Sequence, residues 1–316
     1  VAQAFGLPCV DSSGHSSSLQ SDVAQIIGVD IGGTKVAAGL VDSAGNITRK
    51  VRVPMVATGD AAAGFAAVRE AIGQLFSSDV QGIGMCSPGP LDYRTGTVIK
   101  PPNLPCWRDF PLTAETERAF GVPARLDNDA NAAGLAEARW GAAIGHRHVF
   151  YATLGTGVGS GFVLDGEIYH GRTGNAAEGG HVSIDYRGPV CGCGKPGCIE
   201  ALCSGPSIAR RAGMARAEDV GDAYRAGDPA SKAVLAETAE LLAVWLGNVV
   251  DLLDPDVIVI GGGVADLMAP FFDDLRAALP RWCINPLAHE IPIAMARYGP
   301  DSGIAGAASL VTTASE

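Results

Sequence analysis

Ile26-Ile27-Gly28-Val29-Asp30-Ile31-Gly32-Gly33-Thr34-Lys35 and Val149-Phe150-Tyr151-Ala152-Thr153-Leu154-Gly155-Thr156-Gly157-Val158-Gly159 are two versions of one pattern, a short apolar strand that runs into a glycine turn. Each continues in the same way. After the first, Val36 to Val41 reads as a second strand, Asp42-Ser43-Ala44-Gly45-Asn46 as a turn, and Ile47 to Val53 as a third strand. After the other, Ser160 to Leu164, Asp165-Gly166 and Glu167 to Tyr169 take the same parts. A chain that repeats this order is expected to be a duplicated α/β protein with a cleft between its halves.

The remaining elements fit around the two units. Residues 60–77 have helical spacing, and Gln81 to Met85 reads as a strand broken by Ser87-Pro88-Gly89-Pro90. Residues 92–120, with Pro101, Pro102, Pro105 and Pro111, read as mostly loop. Pro123 to Asp127 is a strand, and a helix follows from about Ala130 to Trp140. Residues 205–253 are mostly helical, with the longest apolar periodicity from Leu235 to Leu253, ended by Asp254-Pro255. Val257 to Ile260 is a buried strand that opens onto a third glycine turn, Gly261-Gly262-Gly263.

Composition narrows the function. A chain of 316 residues that is 47% hydrophobic has ample material for one large domain or two ordinary ones. Its net charge of -11 argues against nucleic acid, because phosphate backbones need a basic face. No apolar run approaches the ~20 residues that cross a bilayer. The eight cysteines suit a reducing, cytoplasmic setting better than a disulfide scaffold. Residues 1–24 are polar and serine-rich, lack the pattern of a signal peptide and read as a flexible tail.

One stretch carries metal chemistry. His181, Cys191, Cys193 and Cys198 fall within a glycine-rich run, bracketed by Glu178 and Glu200. Three Cys and one His make a common closed structural zinc set. Disulfides or small buried thiols are the plain alternatives, but a thiol cluster without a secretion signal is more often a metal site. Spacing leaves the fourth ligand open between His181 and Cys203. The three glycine turns suit phosphate, since glycine lets backbone N–H groups approach phosphate oxygens, although any one alone is most often only a turn. No P-loop pattern occurs.

Together these residues resemble the ROK family of sugar kinases and repressors, within the actin-like ATPase group, over about residues 25–312. Asp30 to Lys35 matches the family's first phosphate motif, Gly155 to Gly159 its second, and Gly261 to Gly263 its adenosine motif. Asn128-Asp129-Ala130-Asn131 matches the catalytic segment, and Glu178 to His181 with Cys191 to Glu200 matches the signature. The resemblance implies two actin-like (RNase H-like) α/β domains with a cleft and a structural zinc loop. It divides the chain into a small domain, 25–132, completed by a C-terminal helix in 301–316, and a large domain, 133–300, with the zinc loop at 181–198. It also implies zinc on His181, Cys191, Cys193 and Cys198, a homodimer or homotetramer, and ATP with Mg²⁺.

The implied activity is transfer of a phosphoryl group from ATP to the 6-hydroxyl of a hexose, glucose first. Asp129 would be the base, although an Asp between a strand and a helix is as naturally an N-cap. Gly89, Asn128, Asp129, Glu178, His181 and Glu200 would hold the sugar. Asp30, Gly32, Gly33, Thr34, Lys35, Gly155, Thr156, Gly157, Gly261, Gly262 and Gly263 would hold the nucleotide, with Asp30 reaching Mg²⁺ through water. The sequence departs from the family beside Glu178: Gly179 replaces a bulky apolar residue, and Asn175-Ala176-Ala177 replaces a glycine-richer lead. The alternatives are an N-acetylmannosamine, N-acetylglucosamine, fructose or mannose kinase, a polyphosphate-dependent kinase, and a non-catalytic sugar-responsive regulator. The regulator is disfavoured because the residues before the first strand are too few for a DNA-binding module.

Overall fold

Burial of the first strand sets the architecture. In the computed structural model, which describes residues 25–312, β1 (Gln25–Ile31) has both faces covered, and it pairs antiparallel with β2 (Lys35–Val41). The chain turns back as β3 (Ile47–Pro54), crosses through α1 (Ala61–Gly73) and returns as β4 (Val80–Ser87), parallel to β1. Asp60 caps α1 by accepting the Ala63 N–H at 2.7 Å. A small hairpin, β5 (Leu91–Asp92) and β6 (Thr97–Val98), precedes α2 (Leu112–Phe120) and β7 (Ala124–Asn128). The sheet order is β3-β2-β1-β4-β7. The N-terminal tail expected at residues 1–24 lies outside the described residues.

The second unit repeats this plan. From β7 the chain enters α3 (Asp129–Trp140), then β8 (His148–Leu154), β9 (Val158–Leu164) and β10 (Glu167–Ile168). After the cysteine loop come α4 (Ile199–Cys203), α5 (Gly205–Ala212), α6 (Ala217–Arg225) and α7 (Pro229–Leu253). β11 (Val257–Gly261), α8 (Ala265–Met268), α9 (Phe272–Ala278) and β12 (Ile293–Met295) complete it. The order β10-β9-β8-β11-β12 has the same sequence of antiparallel and parallel pairings as the first sheet. The duplication read from the two glycine turns is therefore a duplication of topology, and the α/β fold class is as expected.

Three local readings change. The stretch 92–120 is not only loop: α2 begins directly after Pro111 and stops at the left-handed Gly121 (φ 72°), so the proline starts a helix here rather than preventing one. Residues 205–253 are three helices, separated at Gly213 and Gly227, both at positive φ. The last of them, α7, is long and apolar enough to cross a membrane by length and composition, contrary to the expectation that no run comes close. Its apolar face is consumed inside the protein. Leu235, Leu242, Trp245, Leu246 and Val250 are buried in the core of the second unit with Phe150, Ile258 and Ile260.

Finally, α10 (Ser302–Ser309) leaves the second unit and lies on the first sheet, against β1, β4 and α3. Ile304 and Ala308 join Ile26, Ala37 and Val41, and Ala307 meets Cys86 and Ala132.

Candidate active site

The site forms where both sheets deliver strand ends. At the end of β7, Asn128 rather than Asp129 is the N-cap of α3: its Oδ1 accepts the N–H groups of Ala130 at 2.9 Å and Asn131 at 3.3 Å. Asp129 is thus the first helical residue, which corrects the capping alternative, and its side chain is left facing the cleft. It is exposed to the cavity, yet protein encloses it on its other sides. That enclosure raises its carboxyl above the ordinary 3.8, partly offset by the Ala130 N–H on its Oδ1 at 2.8 Å.

A cavity of about 620 Å³ is lined by Gly89, Asn128, Asp129, Glu178, His181 and Glu200, the whole set expected to hold a sugar, together with Gly155, Thr156 and Gly157. A neighbouring space of about 560 Å³ shares Asp129, Thr156, Gly157 and Glu200 and extends past Cys191 to Arg210. A third, of about 140 Å³, reaches from Asp129 to Asp30, Tyr151 and Ser302. Asp129 stands at the junction of all three.

The glycine turns are placed unequally. Gly155, Thr156 and Gly157 line the larger cavity, and Thr156 and Gly157 also line its neighbour. A Cβ on Gly157 would lie 2.6 Å from Glu200 Oε2, so glycine leaves room where this carboxylate crosses the turn. Gly32 and Gly33 form a tight turn whose glycine at 33 packs on the Asn103 carbonyl, and Asn103 itself lines both larger cavities. Thr34 and Lys35 are exposed beside it. Gly261, Gly262 and Gly263 do not line these cavities. Gly262, at φ 88°, packs on the Leu154 carbonyl, behind the turn at Gly155. Gly89 lines the cavity, but no protein atom comes close enough to demand a glycine there.

The cysteine loop brings His181, and not Cys203, next to the thiols of Cys191, Cys193 and Cys198. Donor atoms of His181, Cys191, Cys193 and Cys198 all lie within 4.8 Å of one another. Cys203 is turned into the core, with its thiol on the Thr238 carbonyl of α7. Burial pushes the Cys191 thiol up to about 12, while the backbone N–H of Lys195 draws Cys193 down. A cation held by these thiolates displaces protons, so its affinity rises with pH. The set fits a tetrahedral N/S-liganded ion such as zinc. Glu200 joins this cluster to the glycine turn. Its Oε1 is 3.4 Å from Cys191 Sγ and 3.9 Å from His181 Nδ1, and its Oε2 accepts the Val158 N–H at 3.1 Å.

The departure at Gly179 has a physical counterpart. A Cβ there would lie 2.5 Å from Ser160 Oγ and 3.2 Å from the Trp245 ring. Ser160 and Trp245 fill the space beside Gly179. The Ser160 hydroxyl donates to the Ala177 carbonyl at 2.6 Å and accepts the Gly179 N–H at 3.0 Å, which fixes both neighbours of Glu178. Sequence reasoning missed one group at the site. Asp127, buried at the cavity wall, bonds His170 at 2.6 Å, and no motif links two residues so far apart in the chain.

Comparison with known proteins agrees with this arrangement. The ROK family matches residues 26–314. The chain belongs to the ROK family. The glucokinase of Streptomyces coelicolor is 35% identical over 311 residues, covering 90% of this chain and 96% of that one. The N-acetylmannosamine kinase of Salmonella typhi is 33% identical, covering 90% and 97%. The solved structure of a ROK family glucokinase from Streptomyces griseus in complex with glucose and AMPPNP superimposes with a TM-score of 0.76 at 34% identity, covering 90% of this chain and 98% of that one.

Proposed function

We propose that this ROK protein is a kinase that transfers the γ-phosphoryl group of ATP to the 6-hydroxyl of a hexose, with glucose the preferred acceptor. The observation that carries this reading is the position of Asp129, where an acceptor-sized cavity rich in hydroxyl-binding groups meets the space bounded by the Gly155–Gly157 turn. Sugar kinases among the relatives, including one solved with glucose and an ATP analogue, support it.

In this mechanism Glu178, Glu200, His181 and Asn128 hold the sugar hydroxyls, since a carboxylate accepts from two adjacent hydroxyls at once. Asp129 accepts the proton of the 6-hydroxyl as that oxygen bonds to the γ-phosphorus and the bond to the β-phosphate oxygen breaks, releasing ADP. Mg²⁺ bound with ATP would neutralise phosphate charge, and Asp30 would hold its water shell. A zinc ion on His181, Cys191, Cys193 and Cys198 is structural, keeping Glu200 and His181 in register. The small lobe, 25–132 with the C-terminal helix, closes on the large one, 133–300, around the sugar.

An amino-sugar kinase is the second reading, favoured by the N-acetylmannosamine kinase relative and by the departure at Gly179 beside Glu178. A coupled ADP-release assay against glucose, mannose, fructose, N-acetylglucosamine and N-acetylmannosamine decides between them. Glucose is expected to be turned over fastest, and Asp129→Asn is expected to lower kcat by about 100-fold or more, the usual worth of a positioned base. Near-normal turnover in Asp129→Asn overturns the assignment of the base.

A further inference from the structure

We propose that His170 is a positioning residue that clamps the sugar-binding loop to the strand carrying the base. Two chain segments that meet at the proposed sugar site come from different sheets. Asp127 is the penultimate residue of β7 in the first sheet, two residues before Asp129. His170 follows β10 of the second sheet and begins the loop that runs to Glu178. Their side chains join at 2.6 Å, His170 Nε2 donating to Asp127 Oδ2.

The joint is built on both sides. Asp127 is only 4% exposed. Its other oxygen accepts the Asn128 N–H at 2.7 Å and the Asn131 side-chain amide at 3.1 Å, so its direction is fixed by the same segment that carries Asp129. The His170 ring stacks on Tyr93 of the β5–β6 hairpin, with centroids 3.5 Å apart and planes 5° from parallel. The His170 carbonyl accepts the Ala176 N–H at 3.2 Å, and Gly174 packs on the Tyr93 ring, so the loop closes on itself over that ring. Tyr93, Asp127, Gly174, Ala176 and Glu178 all line the larger cavity.

The buried Asp127 carboxylate needs the His170 donor, and the loop needs the ring. Losing the imidazole frees the stretch 171–176, which lines the cavity through Gly174, Asn175 and Ala176 and leads into Glu178, to move relative to Asp129 while leaving the phosphate turn at Gly155 untouched. This inference rests on the hexose kinase reading. Its test uses the full chain and the hexose that the unmodified protein phosphorylates fastest. His170→Ala is expected to raise the hexose KM about tenfold or more, as small displacements of positioning groups do, and to speed amide hydrogen exchange across residues 171–178. His170→Gln keeps a donor toward Asp127 and is expected to recover much of the hexose KM, which separates the bond from general damage to folding. The KM for ATP is expected to stay within about twofold in both variants, because ground-state donor binding is not altered. Unchanged exchange in 171–178, or hexose and ATP KM values that rise together, overturns the proposal. If the unmodified protein phosphorylates none of the hexoses, the functional reading fails, and the exchange measurement on the free protein still decides whether the clamp exists.

Discussion

Asp30 lies where β1 ends against the first turn of α10, and a Cβ on Gly303 would sit 2.5 Å from its carboxyl carbon. Burial, and then the charge of Asp129, raise its pKa above the ordinary 3.8, with Lys35 and the Cys86 thiol pulling the other way. A carboxyl whose folded pKa is raised binds more protons folded than unfolded. The stability it contributes is present at low pH and is lost as pH rises through the folded value. At neutral pH the ionised Asp30 therefore costs stability, as functional carboxylates often do. Asp30→Asn is expected to raise the melting temperature by about 1–2 °C at pH 7.5, the response of a chain this size to ~1 kcal/mol. The gain is expected to fade toward pH 4, and turnover with Mg-ATP is expected to drop. Calorimetry at the two pH values checks the sign, and a lower melting temperature for Asp30→Asn at pH 7.5 sinks the argument. At this scale the sequence was legible wherever chemistry clusters locally, as in the cysteine loop and Asn128-Asp129. It was opaque for Asp127 and His170, because a contact between two sheets leaves no periodicity or spacing to read.

Two elements depend on backbone contacts that leave no room for a side chain. A Cβ on Gly84 of β4 would lie 1.7 Å from the Ala307 carbonyl oxygen, and one on Gly28 of β1 would lie 2.0 Å from that of Ile304. The closing helix α10 thus rests directly on two strand glycines. Gly84→Ala is expected to lift it and to lower unfolding free energy by about 3 kcal/mol, the upper range for overpacking. Urea denaturation measures this, and a variant as stable as the unmodified protein contradicts such close packing. Glycines inside strands are the sequence mark of close backbone approach, so this docking was readable in principle. The cysteine loop is the second such element. Stripping its metal, or Cys193→Ala, is expected to lower the melting temperature and to raise the hexose KM roughly tenfold, as loss of supporting residues around a site does. Hexose binding retained by a folded, metal-free Cys193→Ala protein would refute the coupling. The helix α2 shows the converse limit: a run of prolines reads as loop, and only the capping geometry at Pro111 and Gly121 reveals a nine-residue helix.

At the scale of the molecule, the duplicated topology fixes where motion is possible. In the first unit the glycine turn and the turn at Asp42–Asn46 lie at opposite ends of β2. The first end lies beside Asn103, which lines both larger cavities. At the second, the Tyr298 hydroxyl donates to the Gly45 carbonyl at 3.0 Å, Arg297 donates to Asn46 at 3.1 Å, and Lys50 pairs with Asp301 at 2.7 Å. The two sheets are therefore tied at the end remote from the site, while near it cavities lie between them and the Asp127–His170 pair crosses, so the remote end is expected to act as the hinge. The repeat itself was visible in the sequence, because each glycine turn marks the same strand junction. The ties across it were not, since they join residues some 250 positions apart. Hinge closure on a hexose is expected to shrink the radius of gyration measured by small-angle scattering and to exclude water from the reacting phosphate. Tyr298→Phe removes one tie, worth about 1 kcal/mol, and is expected to shift kcat and the hexose KM together rather than either alone. Scattering that does not change at saturating hexose, in a protein that still phosphorylates it, would mean that the cleft is already closed and that Tyr298 holds a fixed frame.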